Sequence, residues 1–469
     1  MAWPGSLVFR GRGDRRPAHS LLGLVDDTSV IDGARLAPWI VRAPPNTLTE
    51  TPYADVDVAY ELAPVAEADV APAPSRLRLD EAPAFLRRAL EKAVDDALHG
   101  VRRVAVMTGG GLDSSILLGL ATQWAARTGA SVFAVALDFE GAGDDRPHLA
   151  ALERHLGCEV VRVTPEEAAP RSALLATGID GVPVPFASMP MEIELLARAR
   201  AHGAERVLSG GGADELFSGN PYALSDIAWR GEPLAALRAA RRLTGFHRPR
   251  VPAWSWVMRP LLGRALPQRL RAWRGRRTAP YFAPSWAGPV ARRFVDEKRR
   301  AVGARPVPRS ARARFAAVRD DGHRVVLAWG RHLEEQASGI ECSEPYLDPA
   351  LALAVSSLRP DYLLFGDRWR GLLREAASDL LPATLRDRMD KARFEPALRR
   401  FTDATGGLAS LDALGHGRAL AALGLVEPAA FRSAYERFVA TPDDGRSWVT
   451  LWSALSVEAF LRGRVGHRA

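Results

Sequence analysis

The chain has 469 residues, 47% of them hydrophobic and 25% charged, which is enough to bury the core of one large domain and a smaller appendage. Its two cysteines give no disulfide framework or metal cluster, and no apolar run approaches the ~20 residues of a membrane span. The net charge of +8 is dispersed and no known nucleic-acid module occurs, so neither nucleic acid nor a membrane is an expected partner. The amino terminus has no signal-peptide core, which favours a cytoplasmic protein.

The first 75 residues contain short alternating segments broken by proline, at residues 6–10, 37–41 and 56–62, which predict a few β-strands in a small appendage. Residues 80–97 show the apolar periodicity of a helix. Beyond them, strand-like and helix-like segments alternate as in βαβ units, which predicts an α/β fold with a parallel sheet and helices on both faces. The predicted strands are residues 103–107, 131–138, 159–163 and 205–209, and the predicted helices between them are residues 112–128, 146–156 and 189–202.

Residues 225–315 are rich in tryptophan, arginine and proline, which predicts a set of short helices with a basic surface. Two interpretations stay open for this insert: a solvated helical cover over the sheet, or a binding surface for a large or acidic substrate. Residues 323–469 have helical periodicity and predict a helical carboxyl-terminal half.

A glycine-rich turn joins the first predicted strand to its helix in the segment VRRVAVMTGGGLDSS, residues 101–115. Glycines allow close approach of the backbone, and successive N–H groups at a helix N-terminus favour an anion. The segment lacks the lysine of a P-loop and the spacing of a dinucleotide-binding loop. It therefore predicts a phosphate site of another kind, at the carboxyl end of a strand.

Four segments resemble, in order, motifs of the asparagine synthetase family. GGGLDSS is similar to the pyrophosphate-binding loop SGGxDS of ATP pyrophosphatases, with Gly109 at the first serine. SGGGADELFSG at residues 209–219 resembles SGEGADELFGG, IECSEPYLD at residues 340–348 resembles VEARVPFLD, and residues 391–394 fall at the family's K-x-x-F. The resemblance runs from about Leu77 to the carboxyl terminus and implies the ATP pyrophosphatase fold, which is adenine nucleotide alpha hydrolase-like.

The resemblance makes residues 76–469 an ATP-dependent amide ligase domain, with residues 225–315 as an insert. Asparagine synthetases carry a glutaminase domain in front of it, with a cysteine directly after the initiator methionine. Here that position is Ala2, and no cysteine precedes Cys158. Residues 1–75 are therefore expected to be a remnant of that domain without glutaminase activity.

The family motifs imply a site for ATP and Mg²⁺. The pyrophosphate of ATP would be bound by Gly109, Gly110, Gly111, Ser114, Ser115 and Gly210. Asp113 and Asp214 match the Mg²⁺ ligands of the family, and two carboxylates suffice when phosphate oxygens and water complete the shell; each could instead cap a helix. Asp145 matches by a looser alignment and could merely start a helix, and Arg388 could share a phosphate contact or lie on the surface.

Lys391 is the expected catalytic cation. Of the 63 basic residues, only Lys92, Lys298 and Lys391 are lysines. Because this chain uses arginine at nearly every position that needs a positive charge, a lysine inside a motif is expected to be required as lysine. The family reaction forms an acyl-adenylate and then an amide, and a fixed ammonium would stabilise the charge that builds on oxygen. The alternative is an exposed helix lysine.

Two departures from the family concern the amine side of the reaction. Gly211 replaces the glutamate of SGEG, which is tyrosine in β-lactam synthetases, and Ser343 replaces the arginine of VEARVPFLD. Glu341 matches the glutamate that partners that tyrosine, so it is the expected proton acceptor, with a structural partner for an arginine as the alternative. Gly211 is expected to leave a space that suits a substrate bulkier than aspartate.

These features predict an AMP-forming amide ligase without a glutaminase. The tryptophan- and arginine-rich insert and the carboxyl-terminal segment look similar to lasso-peptide macrolactam synthetases, which would make a peptide the substrate and add a precursor peptide and its protease as partners. Two alternatives stay open: an asparagine synthetase-like enzyme that makes a small amide from ammonia, and a non-catalytic homologue that binds ATP or peptide.

Overall fold

A five-stranded parallel sheet forms the centre of the protein, in a computed structural model, and has the strand order β5-β4-β3-β6-β7. The strands are β3 (Arg103–Met107), β4 (Ser131–Leu137), β5 (Val160–Val163), β6 (Arg206–Leu208) and β7 (Glu341–Ser343). The four predicted strands and the parallel sheet are confirmed. The fifth strand, β7, was expected only as part of a motif.

Alternate residues of the strands enter two separate hydrophobic cores. Val104, Val106 and Leu208 face one core, and Ala105 and Val207 face the other. Because both faces are buried, helices cover the sheet on both sides, as predicted. The helices that precede or link the strands are α2 (Ala82–Ala97), α3 (Leu112–Thr128), α4 (Arg146–Leu156), α5 (Leu174–Thr177) and α6 (Met189–Ala201).

The structure describes residues 5–11, 18–25, 29–41, 50–62, 77–141, 144–217, 221–247, 252–267, 269–270, 283–304, 323–388, 394–441 and 445–466. Among the helices in these ranges, none is both long enough and apolar enough to cross a lipid bilayer. After β6 the described chain is almost entirely helical, which confirms the helical carboxyl-terminal half. Its helices are α7 (Ala213–Phe217), α8 (Pro221–Trp229), α9 (Pro233–His247), α10 (Ala253–Ala265), α11 (Pro289–Ala304), α12 (His323–Ser338), α13 (Pro349–Ser357), α14 (Gly371–Ala376), α15 (Ala383–Arg386), α16 (Glu395–Ala404), α17 (Arg418–Ala422), α18 (Pro428–Ala440) and α19 (Gly445–Gly466).

The amino-terminal segment packs on the same core as the sheet. Strands β1 (Gly5–Gly11) and β2 (Val56–Leu62) pair antiparallel, and helix α1 (Gly33–Ile40) lies between them in sequence. The rings of Phe9 and Trp39 both contact Trp329 of α12. The strands predicted at residues 6–10 and 56–62 are confirmed. The strand predicted at residues 37–41 is wrong, because residues 37–40 belong to helix α1, which begins after the N-cap residue Asp32. The boundary near residue 75 and the descent from a glutaminase stay predictions.

Helices occupy the described parts of residues 225–315, as their composition predicted. Helices α8, α9 and α10 enclose a small core of their own, which includes Ala223, Ala236, Ala240 and Val257. The limits of this insert stay a prediction, and its residues 248–251, 268, 271–282 and 305–315 lie outside the described residues.

Candidate functional site

The glycine loop follows β3 directly and leads into the first turn of α3. Gly110 has a φ of 72°, a left-handed conformation that glycine adopts readily. A Cβ at Gly110 would lie 3.2 Å from the Cβ of His148, so the loop passes close to α4. Gly111 is the N-cap residue of α3. The free N–H groups of the first turn of this 17-residue helix therefore lie at the carboxyl edge of the sheet.

The two serines of this loop have different environments. Ser114 Oγ lies 3.0 Å from Thr108 Oγ1, at the start of the turn. Ser115 is 0% exposed, and its hydroxyl has no hydrogen-bond partner among the described residues. Ser114 therefore lies beside the loop, whereas the Ser115 side chain is enclosed in the packing of α3, and the phosphate contacts of both serines stay predictions.

A second loop faces the glycine loop from the carboxyl end of β6. A Cβ at Gly210 would lie only 3.4 Å from the backbone nitrogen of Ser114, so the two loops are in direct proximity. Asp214 is in the first turn of α7, with a half-exposed side chain. The arrangement places the two aspartate motifs at adjacent strands β3 and β6, where a ligand could contact both.

The carboxylates of Asp113 and Asp214 contact the same cationic group, the guanidinium of Arg370. Arg370 Nη1 donates to both oxygens of Asp113, at 2.5 Å for Oδ1, and Nη2 contacts Asp214. Two carboxylates that one cation touches at once could also share one divalent ion, so the residues fit the predicted metal. Among the described residues no cluster of three or more His, Cys, Asp or Glu could hold a metal; phosphate oxygens and water would have to complete the coordination.

Asp145 and Arg388 form a buried ion pair against the glycine loop. Their charged atoms are 2.7 Å apart, and both side chains are about 5% exposed. Arg388 Nη1 also donates to the carbonyl oxygen of Gly110 at 2.9 Å. Asp145 is the N-cap residue of α4 but makes no side-chain capping bond. Arg388 thus binds the loop backbone directly, and Asp145 holds the Arg388 guanidinium in place.

Glu341 lies at the wrong end of its strand for the predicted role. It pairs in register with Arg206 at the amino ends of β6 and β7, whereas the site is at the carboxyl ends. Its half-exposed carboxylate accepts a hydrogen bond from Arg206 Nη2 at 2.7 Å. The structure contradicts Glu341 as the proton acceptor; it is the structural partner of an arginine.

Glu344 is the carboxylate that lies beside Gly211. It follows β7 at the carboxyl end, is 7% exposed, and has Arg331 Nη1 3.7 Å from its Oε2. A Cβ at Gly211 would lie 2.4 Å from Glu344 Oε1 and 3.1 Å from its Cδ. The expected empty space at Gly211 is therefore wrong: Glu344 fills it. The family motif has an apolar residue at this position, so the resemblance pointed away from it.

Further carboxyl groups neighbour Glu344. Burial, together with the negative charges of Glu192, Glu344 and Glu335, raises the pKa of Glu334 well above its ordinary value. The Glu334 carboxyl also hydrogen-bonds Glu192, an arrangement in which one proton can be shared. The surroundings of Glu344 are therefore rich in carboxyl groups. Lys391 falls within residues 389–393, which lie outside the described residues, so its role stays a prediction.

The family model named asparagine synthase matches residues 85–462. The chain belongs to the asparagine synthase family. Membership makes it an enzyme, a carbon–nitrogen ligase of the ATP-using kind, and explains why its aspartate motifs sit on facing loops.

Solved structures share parts of this fold at low identity. An NMN synthetase from Francisella tularensis is 18% identical over 30% of this chain and 58% of that structure, with a TM-score of 0.20. A U34-tRNA thiolase from Methanococcus maripaludis is 15% identical over 53% of this chain and 80% of that structure, with a TM-score of 0.26. No curated protein matches the chain. At these scores the assignment depends on the family model alone.

Proposed function

We propose that this asparagine synthase family member activates a carboxylate as an acyl-adenylate and transfers the acyl group to an amine. The carboxylate oxygen attacks the α-phosphorus of ATP and pyrophosphate leaves. The amine nitrogen then attacks the acyl carbon, loses a proton, and AMP leaves. The observation that carries the proposal is the pair of facing loops after β3 and β6, which bring Asp113 and Asp214 within reach of one cation.

The glycine loop and Ser114 would bind the pyrophosphate, and Asp113 and Asp214 would hold Mg²⁺, which neutralises phosphate charge when it is bound. The Asp145–Arg388 pair keeps the loop backbone in place. Lys391 would stabilise charge on the phosphate and on the tetrahedral oxyanion.

Glu344 would take the proton of the attacking amine. It replaces Glu341 in this role because it lies at the carboxyl edge of the sheet and fills the place of the missing side chain at Gly211. A proton acceptor must come within about 3 Å of the proton donor, or act through one water. Its buried position beside Arg331 keeps the carboxylate directed at the second loop.

For the substrate we propose a peptide that is closed into a macrolactam, or another natural-product amide, supported by the tryptophan- and arginine-rich helical insert. A precursor peptide and its protease would then be partners, in the cytoplasm. The second candidate is a small amide made from ammonia. It is favoured by Glu344, which removes the extra space that Gly211 would otherwise leave.

The test is a product analysis with defined carboxylates. The purified chain is incubated with ATP and Mg²⁺ and with either aspartate plus ammonia or synthetic peptides that carry a free amino terminus and an Asp or Glu side chain. A peptide product lighter by one water, formed with equal amounts of AMP, supports macrolactam formation. Asparagine supports the second candidate, and ADP in place of AMP contradicts both.

A further inference from the structure

We propose that Arg370 is a positioning residue that holds Asp113 and Asp214 as an internal counter-cation and makes metal binding there depend on the nucleotide. The inference rests on the proposed function in one respect, the assignment of these two aspartates as metal ligands.

The Arg370 guanidinium ties the two loops together from a third segment of the chain. One nitrogen serves Asp113 and the other serves Asp214, in the forked geometry that suits arginine. The Arg370 side chain is 4% exposed, although the Asp214 side chain is 52% exposed. The guanidinium is therefore enclosed between the carboxylates, in the place that a shared metal ion would take.

The backbone conformation at Arg370 is unusual and tightly packed. Its φ is 53°, a left-handed conformation that is uncommon for residues other than glycine, and it is the N-cap residue of α14. A Cβ at the next residue, Gly371, would overlap the backbone of Phe365. The close packing of this turn determines the direction in which Arg370 leaves the backbone.

The local charge disfavours a metal ion while Arg370 is in place. Burial, with smaller contributions from the positive charges of Arg368 and Arg370, lowers the pKa of Arg374 to about 10, so three guanidinium groups lie close together here. A divalent ion that entered alone would meet this charge and would have to displace the guanidinium from both carboxylates.

A polyphosphate reverses this balance. Its oxygens offer the guanidinium the bidentate partners that arginine prefers, so Arg370 can exchange carboxylates for phosphate and leave Asp113 and Asp214 to the metal. Nucleotide and metal then assist each other. Because linkage is reciprocal, each raises the affinity of the other by the same factor.

The test measures the affinity of the full chain for Mn²⁺ without nucleotide, with bound and free Mn²⁺ distinguished by electron paramagnetic resonance. The wild type should bind Mn²⁺ weakly, and Arg370→Gln should bind it about tenfold more tightly, within the usual range for coupled sites. Adding a non-hydrolysable ATP analogue should tighten Mn²⁺ binding in the wild type and much less in Arg370→Gln. Arg368→Gln removes a nearby guanidinium that pairs with Asp387 instead and should behave as wild type.

Equal Mn²⁺ affinity in the wild type and Arg370→Gln without nucleotide would overturn the proposal. So would a gain that survives Asp113→Asn, because the ion would then bind elsewhere. If Arg370→Gln does not fold by circular dichroism, Arg370→Met replaces it: the apolar side chain occupies part of the same space without the positive charge, so tighter Mn²⁺ binding is again expected, and unchanged binding counts against the proposal. None of these readouts requires turnover, so a failure of the proposed reaction is detected separately, as absence of AMP.

Discussion

Adding one methyl group at Gly211 tests the role of Glu344 without removing its carboxylate. The new Cβ would lie 2.4 Å from Glu344 Oε1, whereas ordinary contact begins at 3.4 Å, so the oxygen must move by about 1 Å. A displacement of about 1 Å in a catalytic group can cost about 100-fold in rate. We therefore expect Gly211→Ala to slow amide formation about 100-fold, and carboxylate-dependent exchange of pyrophosphate into ATP to change little.

The control is Gly330→Ala, where the added methyl would find only an ordinary contact at 3.7 Å with Phe186. A second variant combines Gly211→Glu with Glu344→Gly, which returns the carboxylate to the position that asparagine synthetases use; it should recover part of the lost rate. Wild-type amide formation in Gly211→Ala would refute the reasoning. An equal loss of exchange and amide formation would refute it as well, since Glu344 would then serve binding or folding.

Three further predictions concern the rest of the site. Lys391→Arg should lose about 10²–10³ in adenylation rate, nearly as much as Lys391→Ala, because a planar guanidinium cannot replace a compact ammonium; near-normal turnover would make Lys391 a surface cation. Asp145→Asn should lower the free energy of unfolding, measured in urea, by about 3–5 kcal/mol, because it leaves the buried Arg388 charge unpaired. The double variant Asp145→Asn with Arg388→Met should lose less stability than the sum of the two single variants, and strictly additive losses would mean that the two side chains do not interact. Because the pKa of Glu334 is raised in the folded protein, this carboxyl group loses its proton at a lower pH in the unfolded chain than in the folded one. The folded protein therefore loses stability as the pH rises from the ordinary glutamate pKa towards the raised pKa of the folded state. Glu334→Gln should therefore match wild type near pH 4 and unfold at higher urea near pH 8, and a difference that does not grow with pH would contradict the shared proton with Glu192.

Local patterns predicted the sheet and the two aspartate loops. The units β3–α3–β4 and β4–α4–β5 and each glycine turn are encoded within about 35 residues, a span in which periodicity and turn chemistry are informative. Strand β7 has only the three residues Glu341–Ser343, too few for a periodic signal, so its direction and the end at which Glu341 lies could not be read from the motif.

Long-range packing accounts for what the sequence did not predict. Glu344 meets Gly211, and Arg370 meets Asp113, across long stretches of chain, 257 residues in the second case. No spacing rule connects such pairs, because their approach depends on how the helices after β6 pack against the sheet. The assignment of Glu341 failed for this reason: the motif identified a glutamate in the correct segment, three residues from the one beside the site.

The most direct test of the proposed chemistry is the fate of ATP labelled at its α-phosphate. In the presence of Mg²⁺ and a carboxylate that is turned over, the label should appear in AMP, and Asp113→Asn and Asp214→Asn should each abolish its release. Label in ADP would mean that the carboxylate is activated as an acyl-phosphate, and would contradict adenylation by the two facing loops.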